Sequence, residues 1–191
     1  MAPDGLPGKK KKPMTDALRE ALRHEHYRRT KHGELVHVSP SMVHVHVAEH
    51  GIEPLQPKDT NKSVYMGKKA MELAIQGHNV IHAMHRKGIG WIDFIQGNPG
   101  DGPPDFENGR GISHIKAKRD FEHSQDPAKP DGETTLKRLP DVIARGAIFS
   151  HRGERIEIRQ DGYVAILLHV PAKETETNQG ERWLVSGFKK G

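Results

Sequence analysis

The chain reads RIEIRQDGYVAILLHV over residues 155–170, and this stretch decides the fold of its C-terminal part. Residues 155–159 alternate, with both isoleucines on one side and three charged side chains on the other, which is typical of a half-buried strand. The Asp-Gly pair at 161–162 is favoured in tight hairpin turns. Residues 163–170 form the most hydrophobic run of the chain. The pattern predicts two antiparallel strands, the second one central in a sheet.

Further strands are predicted on both sides of this hairpin, at 147–151 and, after a polar loop at 171–180, at 181–188. Upstream, the hydrophobic spacing predicts helices over 15–31, 65–87, 113 to about 121 or 123, and 136–146, the last interrupted near Pro140. Alternating strand-like runs are predicted at 34–47 and 91–95. The expected fold class is α+β, with N-terminal helices followed by an antiparallel four- to five-stranded sheet. Residues 1–13 are predicted to be a disordered basic tail, 14–62 an N-terminal helix and strand segment, and 63–191 the main domain.

The composition limits the classes of function. Hydrophobic residues make up 34% of the 191 residues, and the mean hydropathy is −0.76. The absence of cysteine excludes disulfides, thiolate zinc sites and cysteine nucleophiles. No apolar run reaches the roughly 18 residues of a membrane span, and no signal peptide is recognisable, so no membrane partner is expected. The net charge of +5 favours a polyanionic partner such as nucleic acid.

The segment GRGISHIKAKR at 109–119 is the first candidate for a functional site. Gly109 and Gly111 allow a sharp turn, and Ser113 is the expected N-cap of a helix that begins there. His114 and Lys118 then lie one turn apart on one helical face. A histidine beside fixed cations suits proton transfer at a phosphodiester. The alternative is a surface helix with solvated lysines.

The 14 histidines raise the question of a metal site. Two groups have ligand-like spacing, one on alternate positions of a strand and one at i, i+4 and i+7 of the predicted 65–87 helix: His44, His46 and His50, and His78, His82 and His85. Neither group has a carboxylate or a cysteine in a known ligand spacing. We therefore predict structural or surface roles for these histidines and no metal site.

Three short motifs, in this order, carry a resemblance to a known family: WIDFIQG at 91–97, GISHI at 111–115 and WLVSGF at 183–188. Together with the strands between them, they resemble the barnase/EndoU/colicin/RelE-like nuclease superfamily, and in particular the branch found in phage and mobile-element polyvalent proteins. The likeness covers roughly residues 64–190. The resemblance implies that residues 63–191 form a nuclease-like domain.

The resemblance implies a metal-independent ribonuclease without cofactors, used as a toxin or as a phage or mobile-element effector. It matches His114 to the helix histidine of the family and Ser186 to the small hydroxyl residue on the last strand. Four residues compete for the family's basic position: Lys118, Arg119, Arg155 and Arg159. The implied partner is RNA, with tRNA and rRNA as candidates, and the implied site of action is the bacterial cytoplasm. Whether a cognate immunity protein or antitoxin exists stays open.

The same chemistry can be built from the residues, because RNA carries its own nucleophile in the 2′-hydroxyl. In this scheme His114 takes or returns a proton, Ser186 donates a hydrogen bond to a phosphate oxygen, and Glu157 is a candidate partner base. The alternative for Glu157 is a salt bridge with the arginines of its own sheet face. Predicted substrate-binding residues are Lys116, Arg155, Tyr163 and Lys189.

Two other classes of function remain as alternatives. The first is a non-catalytic nucleic-acid-binding or phage structural accessory module that binds mainly through the basic tail. The second is a metal-dependent protein built on the histidine groups. Among these, the ribonuclease acting by 2′-hydroxyl transesterification is the preferred hypothesis, with DNA as the alternative target.

Overall fold

The computed structural model describes residues 26–38, 54–170 and 181–191. These residues form three helices and eight strands. In chain order they are β1 (His26–Arg29), β2 (Leu35–Val38), α1 (Thr60–Ile75), β3 (Asn79–Arg86), β4 (Gly90–Phe94), α2 (Ile112–Gln125), α3 (Gly132–Arg145), β5 (Ala147–Arg152), β6 (Arg155–Gln160), β7 (Tyr163–Val170) and β8 (Glu181–Lys189).

All eight strands belong to one mixed sheet of order β2-β1-β3-β4-β8-β7-β6-β5. The C-terminal meander β5–β8 is antiparallel, as the alternation and the hairpin turn predict. The expectation of a four- to five-stranded antiparallel sheet is wrong in size and in direction, because β1 pairs with β3, and β4 with β8, in parallel. The α+β class is confirmed, with a larger sheet than predicted.

The N-terminal segment departs from its prediction. Residues 26–29 of the predicted 15–31 helix form strand β1, and residues 1–25 lie outside the described part of the chain. Of the alternating run at 34–47, residues 35–38 form β2, and the remainder, with His44, His46 and His50, also lies outside the described residues. The division at residue 62 stays a prediction, and part of the segment before it extends the main sheet through β1.

The predicted helix at 65–87 is a helix followed by a strand. Asp59 caps the start of α1, because its Oδ1 accepts a hydrogen bond from the Lys62 amide at 2.8 Å. The helix ends at Ile75, and Gly77 follows with φ of +100°, a conformation that suits glycine. The chain then continues as β3, which carries a bulge near His82, so the three histidines at 78, 82 and 85 do not share a helical face.

The helix predicted from Leu136 begins earlier, at Gly132. Asp131 is its N-cap and accepts a hydrogen bond from the Thr134 amide at 2.7 Å. The predicted interruption near Pro140 is wrong, because the helix continues through that residue and ends at Arg145. The sequence signal was therefore right about the helix and wrong about its first turn.

The helices pack on one face of the sheet and bury the main core. Its fully buried side chains come from the helices and from the sheet face toward them, and include Met71, Met84, Phe94, Ile115, Leu139, Ile143, Ile156 and Leu184. The opposite face of the central strands carries a smaller cluster of Ile95 and Trp183, with Ile81 and Val185 against it. The alternation of β6 follows this division, since Ile156 and Ile158 lie in the main core.

Gln96, just after β4, ties several elements together. Its Nε2 donates to the carbonyl oxygens of Ala74 at 2.7 Å and His78 at 2.9 Å, at the end of α1 and before β3. The backbone amide of Gln96 donates to Asn79 Oδ1 at 2.7 Å, and its side-chain Oε1 accepts from Ser113 Oγ at 3.3 Å. The side chain is buried, so these bonds replace water that the site excludes.

We expect Gln96→Ala to lower the free energy of unfolding by about 1–3 kcal/mol, because the buried side-chain bonds from Gln96 to the Ala74 and His78 carbonyl oxygens are lost. Urea denaturation checks this value. Gln125→Ala is the matched control, since Gln125 is exposed at the end of α2 and bonds only to Ser124 among the described residues. Equal stability of the two variants would contradict the role given to Gln96.

Candidate active site

The site is organised by a gap in the sheet. Strands β4 and β8 pair only at Asp93 and Trp183, and beyond this point they separate. The start of α2 lies in the gap and bonds to both sides. The Gly111 amide donates to the Val185 carbonyl at 3.0 Å, and the Ile112 amide donates to the Ile95 carbonyl at 2.9 Å.

This docking uses the amide groups that a helix normally leaves unpaired at its N-terminus. The Ser113 amide continues the pattern and donates to the Gln96 carbonyl at 2.9 Å. The N-cap is Gly111, which makes no side-chain capping bond, so the prediction of Ser113 as the cap is wrong. The positive end of the helix dipole therefore faces strand carbonyls.

Two glycines make this approach sterically feasible. Gly111 has φ of +86°, and a Cβ there would overlap the carbonyl of Ile95. Gly109 lies against the imidazole of His114, and a Cβ there would overlap both Nδ1 of that ring and the Pro99 carbonyl. Any larger residue at either position would have to displace the helix start or the histidine.

His114 lies on the first turn of α2, and only 8% of its surface is exposed. Its Nδ1 is 3.1 Å from the carbonyl oxygen of Pro99. Because a carbonyl only accepts, Nδ1 must carry the proton, and in the neutral ring Nε2 then holds the lone pair. This is the tautomer that a general base at Nε2 requires.

Burial lowers the pKa of His114 below its usual 6.5. The bond to Pro99 opposes this change, and the positive charges of Lys118 and Arg119 add to it. The ring is therefore neutral at pH 7 and able to accept a proton.

Two cations of α2, Lys118 and Arg119, lie close enough to His114 to lower its pKa. Lys118 is half-buried one turn further along α2, and it makes no ion pair with another residue of the described ranges. Arg119, only 7% exposed, pairs with Glu122 at 3.2 Å, and its Cζ lies 5.6 Å from the centre of the Phe188 ring. Arg110 Cζ is 5.7 Å from the Trp183 ring centre. The arrangement concentrates positive charge near His114.

Lys116 lies on a different side of α2. At 100° per residue it is roughly 200° around the helix from His114. Its ammonium group pairs with Asp120 at 2.6 Å, and Asp120 also accepts the Gly132 amide at 2.8 Å. Lys116 therefore faces the start of α3, away from His114.

Ser186 lies beside the start of α2, because its chain neighbour Val185 accepts the Gly111 amide. The strand register continues from Ser186 through Ile166 to Glu157 on one face of the sheet. At about 4.8 Å per strand, Glu157 is about 10 Å from Ser186. The structure thus brings Ser186 close to the first turn of α2 and leaves Glu157 on the same sheet face, further away.

The remaining predicted residues divide between the two faces of the sheet. Arg159 joins Glu157 on its face, with its guanidinium 2.6 Å from Glu157 Oε1, and exposed Arg155 lies on the same side of β6. Tyr163 packs against the main core, and Lys189 Nζ lies 5.8 Å from its ring centre. Tyr163 and Lys189 therefore lie on the helix-covered face, apart from Ser186 and Glu157.

Two of the histidines proposed and discounted as metal ligands surround a tryptophan. The His82 and His85 rings lie 5.3 and 5.1 Å from the Trp91 ring, whereas His78 packs on Tyr27 at 5.1 Å. Within the described ranges, no group of three or more potential ligands is placed to hold a metal ion.

His82 is the most strongly perturbed of these histidines. Its pKa is lowered to about 3, first by burial and then by the charges of Arg28 and Arg29. The bulge gives it φ of +52°, and its amide donates to Asp93 Oδ1 at 2.7 Å. The ring is a neutral structural group at physiological pH.

The carbonyl of Pro99 and the guanidinium of Arg110 are neighbours of the site that sequence reasoning missed. Pro99 acts through its backbone, which has no sequence signature beyond the Gly- and Pro-rich loop at 97–108. Arg110 lies between the two glycines of the GRG segment, and that position was the available signal.

The comparison with protein families agrees with this geometry. A family model described as phage-Barnase-EndoU-ColicinE5/D-RelE like nuclease1 matches residues 83–191, more than half of the chain, and spans α2, α3 and β4–β8. This finding confirms the resemblance that the three motifs indicate. No curated protein and no solved structure matches the chain. Among the described residues, no helix is both long enough and apolar enough to cross a membrane.

We expect His114 to titrate below pH 6.5 in NMR spectra of the full chain, because its charged form is buried beside cations. Lys118→Met should raise this pKa by removing a nearby positive charge. Lys116→Met is the matched control and should change it less, since that side chain faces α3. A wild-type pKa at or above 6.5 would contradict the assigned environment.

His82 should make the fold sensitive to acid. Between pH 6.5 and 3 the unfolded chain binds a proton that the folded chain excludes, so stability falls as the pH falls. From pH 7 to pH 5 this group should account for about 2 kcal/mol of lost stability.

Urea denaturation at both pH values should show a smaller loss for His82→Asn, since asparagine tolerates positive φ. His123→Asn, near the end of α2, is the control and should keep the wild-type loss. The same loss in His82→Asn as in the wild type would show that His82 is not the acid-sensitive group.

Proposed function

Because the chain belongs to the phage barnase–EndoU–colicin–RelE-like nuclease family, we propose that it is a metal-independent endoribonuclease. The observation that carries this proposal is the state of His114, a neutral imidazole with its proton held on Nδ1 by the Pro99 carbonyl. This state leaves Nε2 as a base next to fixed positive charge. Such a pairing suits cleavage of a phosphodiester that carries its own nucleophile.

In the proposed reaction, His114 Nε2 takes the proton of the ribose 2′-hydroxyl. The 2′-oxygen attacks the adjacent phosphorus, the bond to the 5′-oxygen breaks, and that oxygen leaves with a proton from water. The products are a 2′,3′-cyclic phosphate and a 5′-hydroxyl. No external nucleophile is consumed in this step.

The charge that builds on the phosphate oxygens needs stabilisation. Lys118 is the candidate for direct contact, since it lies one turn from His114 and has no ion-pair partner among the described residues. Arg119, held by Glu122 and by the Phe188 ring, supplies fixed positive charge. Ser186 would donate a hydrogen bond to a phosphate oxygen from the edge of β8. Glu157, paired with Arg159, orients that guanidinium in this scheme.

The partner in this proposal is RNA, with tRNA and rRNA of the bacterial cytoplasm as the candidate targets. The net charge of +5 supports association with a polyanion, and this association should weaken as salt rises.

The test uses the purified full chain with total RNA, in the presence and absence of EDTA. We expect cleavage that EDTA leaves unchanged and that His114→Ala reduces by at least about 100-fold, since a general base is lost. His123→Ala is the matched control, because that imidazole lies on the same helix and its Nδ1 also bonds a backbone carbonyl, that of Lys129. This control should keep wild-type activity.

A short RNA with a single 2′-deoxy residue at a mapped cleavage site tests the mechanism. We expect no cleavage there and a cyclic phosphate end on the unmodified RNA. Cleavage of the deoxy substrate would exclude 2′-hydroxyl attack. Intact RNA under all conditions, with binding that survives His114→Ala, would instead support the non-catalytic binding module.

A further inference from the structure

Phe149 is an aromatic side chain that the proposed reaction does not use. It lies on the edge strand β5, and 61% of its surface is exposed. The pairing of β5 with β6 shifts between Ile148 and Ser150, so Phe149 is the extra residue of a β-bulge. A large apolar ring at such a position carries a hydration cost that no core packing offsets.

The ring has one defined partner, the guanidinium of Arg159. Arg159 Cζ lies 3.3 Å from the ring centre, a stacking distance for a cation on an aromatic face. The same guanidinium is held at 2.6 Å by Glu157 Oε1 on the same strand. The ion pair with Glu157 therefore fixes the guanidinium of Arg159, and this guanidinium packs on the ring of Phe149. Much of the ring stays exposed to solvent.

This stack lies on the same side of the sheet as part of the proposed site. Arg159 and Glu157 share one face of β6, and the row from Glu157 through Ile166 ends at Ser186. Ser186 follows Val185, whose carbonyl accepts the Gly111 amide at the start of α2, three residues before His114. A strand of RNA with its phosphate at His114 and Ser186 could thus extend over β7 and β6 toward Phe149.

We propose that Phe149, held by Arg159, is the stacking platform for a base of single-stranded RNA further along the strand from the cleaved nucleotide. This inference rests on the proposed function, since it gives a role to a part of the same surface. Every base has a flat π-face, so an exposed aromatic ring beside cations binds single strands with little sequence preference. Exposed Arg152 and Arg155, opposite each other at the end of the β5–β6 hairpin, supply charge for the backbone.

The test measures RNA binding separately from cleavage. The full chain with His114→Ala is titrated with a single-stranded RNA that carries 2-aminopurine, whose fluorescence falls when it stacks. Phe149→Leu keeps an apolar side chain and removes the π-face, and Phe149→Trp restores it. Tyr65→Leu is the matched control, because Tyr65 is 57% exposed on α1, outside the proposed platform. Thermal melts check that each variant is folded.

We expect Phe149→Leu to weaken binding roughly 5- to 100-fold and to abolish the fluorescence loss, as expected for one lost base stack. Phe149→Trp should restore both, and Tyr65→Leu should change neither. In the active chain, Phe149→Leu should raise KM more than it lowers kcat. Wild-type binding and fluorescence in Phe149→Leu would overturn the platform.

The two proposals fail in different ways. If the active chain cleaves RNA but Phe149→Leu binds as the wild type does, the ribonuclease stands and the platform is wrong. If the wild type leaves RNA intact but the fluorescence loss depends on Phe149, the platform stands as a binding site and the ribonuclease is wrong. Binding that depends only on salt, and equally in all variants, would show that charge alone holds the RNA and would overturn the platform.

Discussion

The structure depends on the insertion of the α2 N-terminus between β4 and β8. Two sheet halves meet there through a single pair, Asp93 and Trp183, and the helix supplies the hydrogen bonds that a longer strand pairing would have made. The first amides of α2 bond to the carbonyls of Val185 in β8 and of Ile95 and Gln96 just after β4, so these backbone groups on both sides of the gap are paired. The insertion joins the antiparallel meander to the strands before it.

The same insertion determines the tautomer and lowers the pKa of His114. The helix start brings the imidazole under the loop at 97–110, where the Pro99 carbonyl sets the tautomer and burial lowers the pKa. Glycines at 109 and 111 leave room for this contact. The packing of the fold and the state of the candidate base therefore have one structural cause, and a change that loosens the helix start would alter both.

Much of this arrangement could be predicted, and the rest had no local signal. The alternation at 155–159 and the Asp-Gly turn predicted the hairpin, and the GRGISH segment predicted the start of α2 with its cap two residues too late. The strand at 79–86 was missed because its apolar residues also fit a helical spacing, and a turn at Gly77 decides between the two. The face of Lys189 depends on the extra residue that β8 carries in its pairing with β7, which no single segment specifies.

The acceptor that orients His114 is a main-chain oxygen, and this has a consequence for how the protein can vary. A substitution at residue 99 changes a side chain but leaves a carbonyl in place, so the orientation of the imidazole is protected from most single amino-acid changes. The loop from 97 to 110 can then exchange its outward side chains without loss of the base beneath it. Variants selected for new target preferences should accumulate their changes there, while Gly109, which admits the ring, and Gly111, which admits the helix start, remain.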